Sequence, residues 1–149
     1  MSYADFPAYL TADHRHCDEQ LGALRKLALA ADSATAAQTF EALNHDVLAH
    51  FAAEEEVLFP AFESATGMSC GPTQVMRMEH AEARELLADL AEAVSGQDVD
   101  GVRGHGEALL ILLQQHNMKE ENILYPMAYN VAGANAGELG ARIAGRRQH

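Results

Sequence analysis

The sequence predicts an all-α protein that folds as an up-down-up-down four-helix bundle with a short C-terminal extension. No stretch alternates apolar and polar residues for long, as a half-buried strand would, and β-branched residues are sparse. Four long segments instead carry apolar residues at helical spacing. The breaks between these segments are short, and helices of this length with short connections pack side by side in antiparallel order.

The first two helices are expected over about residues 11–31 and from about residue 34 to residue 60 or slightly beyond. Thr11 is expected to cap the first helix, and Asp32 or Ser33 the second, because these side chains accept hydrogen bonds from the free amides of a first turn. The segment ATGMSCGPT then breaks the helical pattern.

The third helix is expected over residues 72–94, because Pro72 suits a first helical position. The fourth is expected from residue 98 or 100 to about residue 127. Residues 1–132 are therefore assigned to the bundle. The Gly-rich segment 133–149 is assigned to a tail that either forms a short fifth helix or frays.

Composition and charge exclude several classes of protein. The net charge of −12 argues against a nucleic-acid partner and against an anionic membrane surface, since both reward basic patches. No apolar run is long enough to span a bilayer, and the N-terminus does not resemble a signal peptide. Cys17 and Cys70 form no Cys-x-x-Cys motif. We therefore expect a cytoplasmic protein, as a monomer or a homodimer.

An internal repeat relates the two halves of the chain by one constant shift in residue number. The segment HFAAEEEVLFP, residues 50–60, matches HNMKEENILYP, residues 116–126, and the same shift places His14 on His80. Each half is thus a helical hairpin with one histidine in its first helix and His-x-x-x-Glu in its second. Two such hairpins related by a pseudo-two-fold axis would bring four histidines and two glutamates to one level of the bundle.

These ionisable residues are expected to face the core. A spacing of four residues puts His50 and Glu54 on one helix face, as it does His116 and Glu120. Apolar residues share those faces: Phe40, Leu43, Val47, Phe51, Val57 and Leu58 in the second helix, and Leu109, Leu112, Leu113, Ile123 and Met127 in the fourth.

Two carboxylates and four imidazoles in one core predict a shared metal pair. Burying an unpaired carboxylate is costly, and a metal pair supplies the missing positive charge. The alternative is a buried His–Glu hydrogen-bond network without metal. Mixed nitrogen and oxygen ligands favour iron or manganese over zinc, whose structural sites use four ligands, usually with cysteine. The candidate ligands are His14, His50, Glu54, His80, His116 and Glu120.

This order of residues resembles the hemerythrin-like (HHE cation-binding) family over roughly residues 8–130. The resemblance implies a non-haem centre of two iron ions, oxo- or hydroxo-bridged, inside the four-helix bundle, with manganese and zinc less favoured. By motif match, the four histidines would be terminal ligands, and Glu54 and Glu120 would bridge the irons.

The chain departs from the oxygen-carrying hemerythrins at one position. Those proteins have a further histidine one turn beyond the third, where this chain has Arg84, and the repeat mate of Arg84 is Asp18. Either residue could point towards the metals, the two could pair, or both could lie at the surface. The departure argues against reversible oxygen carriage.

Several nearby residues are assigned other roles. His16 and His45 are expected to face solvent, and His105 to pack at the end of the bundle. Cys17 is expected to be a buried apolar residue rather than a redox partner, and Cys70 an inert loop cysteine.

The residues beside the ligand motifs leave alternatives open. Glu55, Glu56 and Glu121 are interpreted as a solvated face, with the alternative that they hold a histidine N–H. Phe59 and Tyr125 are expected to cap the core.

The predicted function is that of a di-iron protein that binds or reduces dioxygen, nitric oxide or hydrogen peroxide, in oxidative or nitrosative stress or in iron handling. Whether it turns over is left open; as an enzyme it would be a di-iron oxidoreductase acting on peroxide or nitric oxide. The alternatives are a metal- or oxygen-sensing interaction module without turnover, and a structural metal bundle without an open position.

Overall fold

A computed structural model describes residues 2–147, which are almost entirely helical and contain no strand. The α-helices are α1 Phe6–Leu29, α2 Ser33–Ala53, α3 Phe59–Thr66, α4 Pro72–Ser95, α5 Val99–Lys119, α6 Tyr125–Ala132 and α7 Ala136–Arg147. Two π-helical turns, Glu54–Leu58 and Glu120–Leu124, and two 3₁₀ turns, Tyr3–Asp5 and Gly133–Asn135, complete the described chain. Within it, no helix has the length and apolar character needed to cross a bilayer.

The four long helical segments form the predicted up-down-up-down bundle. The first π turn joins α2 and α3 into one continuous helix, and the second joins α5 and α6 in the same way. Helices α1 and α4 each pack against both α2 and α5, so the four segments form a closed ring. Short connections between consecutive segments make neighbours antiparallel. The predicted fold class is confirmed.

Helix α1 begins earlier than the sequence predicted. Thr11 lies inside it, so the predicted cap at Thr11 is wrong. Pro7 occupies the first turn, where its fixed φ suits a helix and its missing N–H costs no hydrogen bond. The helix ends at Leu29, and two residues later Ala31 has a left-handed φ of 58° that turns the chain towards α2.

The predicted cap of the second bundle helix is confirmed, and the fourth has a cap of the same kind at the start of α5. Asp32 accepts a hydrogen bond from the Thr35 backbone amide at 3.3 Å, and Asp98 accepts one from the Gly101 amide at 3.0 Å. Each carboxylate satisfies an amide that has no partner inside its helix.

The two π turns are the main departure from the predicted helices. The sequence predicted helix ends at residue 60 or slightly beyond and at about residue 127, whereas the helices run on to Thr66 and Ala132. The Phe59 amide donates to the Glu54 carbonyl, and the Tyr125 amide donates to the Glu120 carbonyl, five residues back in each case. Such turns insert one extra residue into an α-helix and are frequent at functional sites.

The extra residue changes which side chains face the core. It rotates the rest of each helix by about 100°, the turn of one residue. Ile123 and Met127, which a regular helix would place in the core, are 52% and 36% exposed, so that prediction is wrong. Leu124, Tyr125 and Ala128 are buried in their place.

Helix α7 folds back over the end of the bundle where α1 begins. Leu139 and Ile143 join the apolar cluster at that end. The Tyr9 hydroxyl donates to the Gly140 carbonyl at 2.6 Å. A β-carbon at residue 140 would collide with the Tyr3 carbonyl, so glycine permits this close approach.

Two apolar clusters fill the core, one on each side of a polar layer. The cluster under α7 includes Phe6, Leu10, Phe59, Phe62 and Ile143. The cluster at the opposite end includes Leu21, Leu24, Leu43, Leu87 and Leu109. Because apolar side chains cover the layer from both ends, its polar groups are shielded from bulk water.

Candidate metal centre

The polar layer contains the six residues that the sequence predicts as ligands. His14 comes from α1, His50 from α2, His80 from α4 and His116 from α5, while Glu54 and Glu120 each open a π turn. All six are buried, and Glu54, His80 and Glu120 have no exposed surface. Two groups of these residues offer ligand atoms close enough to hold a metal ion: Glu54, His80, His116 and Glu120, and His14, His50 and Glu120.

The four imidazoles face one another in two pairs. Nε2 of His14 lies 3.2 Å from Nε2 of His50, and Nε2 of His80 lies 3.2 Å from Nε2 of His116. The shift that relates the halves of the sequence also relates these two pairs. The predicted pseudo-two-fold is therefore present in the geometry of the site.

Each glutamate reaches both histidine pairs. Glu54 Oε1 lies 3.4 Å from His50 Nε2 and 3.2 Å from His80 Nε2. Glu120 Oε1 lies 3.1 Å from His14 Nε2 and 3.2 Å from His116 Nε2. Glu54 Oε1 and Glu120 Oε2 are buried and accept no hydrogen bond from the described residues. Buried carboxylate oxygens without a hydrogen-bond donor are well suited to bind a cation that lies between the two histidine pairs.

A second set of carboxylates surrounds the imidazoles. The Nδ1–carboxylate distances are 2.7 Å from His14 to Glu121, 3.0 Å from His50 to Asp13, 2.6 Å from His80 to Glu55 and 2.9 Å from His116 to Glu79. These carboxylates obey the same repeat, because the shift that carries His14 to His80 also carries Asp13 to Glu79 and Glu55 to Glu121. The alternative role for Glu55 and Glu121, holding a histidine N–H, is thus the one observed.

These hydrogen bonds determine which ring nitrogen of each imidazole carries the proton and which faces the centre. An Nδ1 beside a carboxylate carries the proton and donates it, so the Nε2 lone pair points inwards, as in metal-ligating histidines. Two lone pairs at 3.2 Å repel each other unless a proton or a cation lies between them. Each pair therefore requires a positive charge.

In the metal-free protein, protons supply that charge. Burial alone would lower the pKa of His50, but the Glu54 carboxylate and the hydrogen bond to Asp13 raise it to about 10. At His116, burial alone would also lower the pKa, but the Glu120 carboxylate outweighs this effect and raises the pKa to about 9. His50 and His116 are repeat mates, so one histidine of each pair is protonated at neutral pH. Although burial opposes it, the positive His50 holds the pKa of Glu54 well below its usual range.

Basic side chains keep three of the outer carboxylates ionised. Arg84 donates two hydrogen bonds of 2.9 Å to Glu55; against the effect of burial, His80 and Arg84 lower the pKa of Glu55 to about 2. Lys119 binds Glu79 at 2.6 Å. Arg147 of α7 binds Asp13, with 2.9 Å between Nη2 and Oδ1. Arg84, which could have pointed at the metals or paired with Asp18, is instead the ion-pair partner of Glu55.

The aromatic and amide neighbours break the symmetry of the site. The Phe51 ring stacks on the His80 ring at 3.8 Å between centroids, and the Phe59 ring lies 5.5 Å from it. Their repeat mates are Asn117 and Tyr125. The His80 half of the centre is therefore walled by phenyl rings, whereas the His14 half has an amide and a phenol.

Tyr125 reaches the middle of the candidate centre, which its expected role of capping the core did not include. Its hydroxyl donates to Glu54 Oε2 at 2.7 Å and lies 3.1 Å from Glu120 Oε1. It also lies 3.2 Å from His14 Nε2 and 3.4 Å from His50 Nε2. Burial and the two carboxylates raise the pKa of Tyr125 well above its usual value, so the metal-free protein retains the phenol proton.

The remaining candidates lie away from the centre or are inert. The side chains of His16 and His45 are exposed and lie 3.3 Å from Asp46, as expected for outward faces. Cys17 is buried, and burial together with nearby carboxylates raises its pKa to about 12, which fits an apolar role.

Cys70 is exposed and His105 is half-buried. Asp18 is half-buried, and burial raises its pKa. His14 opposes this rise in pKa, whereas the negative charge of Glu121 adds to it.

Comparison with known proteins gives a family and a partial relative. The family model of the hemerythrin HHE cation-binding domain matches residues 5–128. The iron-sulfur cluster repair protein YtfE of Edwardsiella ictaluri is 40% identical over 52 residues, which cover 34% of this chain and 24% of that protein. The match thus spans about a quarter of the relative's length. No solved structure matches the chain.

Proposed function

Because this chain belongs to the hemerythrin HHE cation-binding family, we propose that it is a non-haem di-iron protein that binds or reduces a small ligand. The ligand class is dioxygen, nitric oxide or hydrogen peroxide. The observation that carries the proposal is the pair of facing imidazole pairs with two glutamates that each reach both pairs.

The spacing of the donor atoms supports two ions. Neighbouring ligands on an octahedral ion with bonds of about 2.1 Å lie about 3.0 Å apart. In the first group, His14 Nε2 lies 3.2 Å from His50 Nε2 and 3.1 Å from Glu120 Oε1. In the second group, His80 Nε2 lies 3.2 Å from His116 Nε2 and from Glu54 Oε1, and His116 Nε2 lies 3.2 Å from Glu120 Oε1. Both groups suit a metal of ordinary ligand distance.

The kind of donor favours iron. Four imidazole nitrogens and two carboxylates, without a thiolate, form the set that non-haem iron or manganese prefers. Structural zinc sites have four ligands, usually with cysteine, and Cys17 is buried with a raised pKa. Glu54 and Glu120 would bridge the ions, and the four histidines would each bind one ion. Bound ferrous iron would supply electrons to the ligand.

The protein's own part is to orient the ligands and to limit access. Each outer carboxylate holds the Nδ1–H of one imidazole and so directs its Nε2 inwards. A small cavity against His14 and His50, lined also by Cys17 and Asn117, has a volume of about 10 Å³. That is the space of about one water molecule. The cavity therefore favours a diatomic molecule or peroxide over a larger substrate.

A role in oxidative or nitrosative stress, or in iron handling, is part of the same proposal. It draws on the name of the partial relative, an iron-sulfur cluster repair protein. A protein that reacts with peroxide or nitric oxide at buried iron would remove agents that damage iron centres.

A second candidate function is a metal- or oxygen-sensing module without turnover. One connection favours it: Arg147 of α7 binds Asp13, and Asp13 in turn accepts from Nδ1 of His50. A change in charge at His50 would therefore alter the Asp13–Arg147 ion pair, through which α7 contacts the site. Repeated consumption of a ligand would exclude a pure sensor.

The reaction of the reduced protein tests the proposal. The iron-loaded protein, reduced anaerobically, is mixed with peroxide, nitric oxide or air while ligand consumption and the optical spectrum are followed. We expect consumption of at least one ligand together with oxidation or ligation of the iron. The matched control is zinc-loaded protein, which holds ions without redox chemistry. Equal behaviour of the iron and zinc forms with all three ligands would overturn the proposal.

A further inference from the structure

The Tyr125 hydroxyl donates to Glu54 Oε2 at 2.7 Å and lies beside both glutamates, but it contacts the imidazoles of one half of the centre only. Its oxygen is 3.2 Å from His14 Nε2, 3.4 Å from His50 Nε2 and 3.1 Å from Glu120 Oε1. The residue that the repeat places in the equivalent position of the other half is Phe59, which has no oxygen to offer. The four donor atoms around His14 and His50 thus have no complete counterpart around His80 and His116.

These distances are those of neighbouring ligands on a single ion. Adjacent positions of an octahedral ion are about 3.0 Å apart at a bond length of about 2.1 Å. The Tyr125 oxygen is as close to His14 Nε2 and Glu120 Oε1 as those two atoms are to each other, at 3.1 Å. The phenol oxygen could therefore serve as a further ligand to an ion bound by His14, His50 and Glu120.

The π turn explains how Tyr125 reaches this position. In a regular helix Tyr125 would lie about 180° away from His116, on the outer face. The extra residue in Glu120–Leu124 brings the ring inwards, where it stacks on His14 with an interplanar angle of 18° and has no exposed surface. The ring is thus held in place by the helix itself.

We propose that Tyr125 is a seventh ligand, whose phenolic oxygen binds the ion held by His14 and His50 and makes the two irons inequivalent. This proposal rests on the proposed di-iron function. On binding, the oxygen–metal bond replaces the O–H bond, and the proton leaves to solvent. No electron is transferred in this step. The ion held by His80 and His116 has no phenolate and is walled by Phe51 and Phe59.

A phenolate on ferric iron has a spectroscopic signature that imidazole and carboxylate ligands lack. It absorbs visible light by charge transfer from the phenolate to the metal, and excitation in that band enhances the ring vibrations in resonance Raman spectra. Of the three other tyrosines of the described chain, Tyr3 and Tyr129 are exposed, and the Tyr9 hydroxyl donates to the Gly140 carbonyl. A phenolate signal would therefore come from Tyr125.

The test compares iron-loaded, oxidised wild-type protein with Tyr125→Phe and with the matched control Tyr129→Phe, whose ring is 44% exposed. We expect a visible band with phenolate vibrations in the wild type and in Tyr129→Phe, and complete loss of that band in Tyr125→Phe with two irons still bound. The removed hydroxyl is small, and the buried ring is retained.

The outcomes separate this inference from the proposed function. Two irons in the wild type without phenolate vibrations would overturn the inference and leave the di-iron function standing, and this result needs no variant. A band that persists in Tyr125→Phe would also overturn it. Failure of the wild type to bind iron would overturn both.

Discussion

We expect Glu54→Ala and Glu120→Ala each to lose both proposed metal ions, because each carboxylate lies between the two imidazole pairs. Glu54 Oε1 lies within 3.4 Å of a histidine from each pair, and so does Glu120 Oε1. Removing one carboxylate deprives both ions of a ligand and of a negative charge. Loss of an outer partner typically weakens metal binding about 10–100-fold, and loss of a direct bridging ligand should exceed that range. Metal content after loading and desalting measures the effect.

Histidine variants provide the matched comparisons. His14→Ala and His80→Ala, which remove a donor from one pair only, should lower the metal content less and can leave one iron bound. His16→Ala and His45→Ala alter exposed side chains and should keep two irons. Circular dichroism verifies that each variant remains helical. If Glu54→Ala abolished binding while Glu120→Ala kept two irons, Glu120 would not bridge the ions.

Metal loading should raise the melting temperature of the bundle by about 10 °C or more. A ligand that binds only the folded chain, at a thousand times its Kd, stabilises the fold by about 4 kcal/mol. For a domain of this size each kcal/mol is worth roughly 3 °C. A metal-free protein that melts at the same temperature as the loaded form would show that the residues share no site.

The same difference should depend on pH with a defined sign. The pKa of His50 is raised to about 10 and that of His116 to about 9, against 6.5 in an unfolded chain. These protons stabilise the metal-free fold fully below pH 6.5, and the stabilisation is lost as pH rises through about 9 to 10. Metal ions displace the same protons, one from each pair, so these histidines should contribute about a tenfold rise in affinity per pH unit for each ion between pH 6.5 and 8. Release of the Tyr125 proton should steepen this rise for the ion held by His14 and His50. Proton release on loading, followed in weakly buffered solution, measures the exchange.

The fold and the six central residues were accessible from the sequence because the repeat is free of gaps. One constant shift reproduces each offset between His14, His50 and Glu54 in the second half of the chain, as His80, His116 and Glu120. Helical periodicity then places these residues on the inner faces. The residues that directly precede His14 and His80 are both acidic and follow the same shift, so the repeat also indicates two of the outer carboxylates.

The π turns and the position of Tyr125 were not accessible in this way. Helical periodicity assumes a constant turn per residue, and the inserted residue in Glu120–Leu124 violates that assumption. No recognised pattern of amino acids marks a π turn in the sequence. In a regular helix, Ile123 would lie in the core and Tyr125 would lie too far from the candidate ligands to contact them. The aromatic-Pro ending of both motifs is a hint in hindsight, because a proline inside a helix interrupts its α hydrogen bonds.

Anaerobic titration with ferrous iron shows whether the six central residues form one site for two ions. These residues are His14, His50, Glu54, His80, His116 and Glu120. We expect binding to saturate at two irons per chain, measured by metal analysis after removal of free iron. No bound iron at saturation, or tight binding of a single zinc ion only, would contradict it.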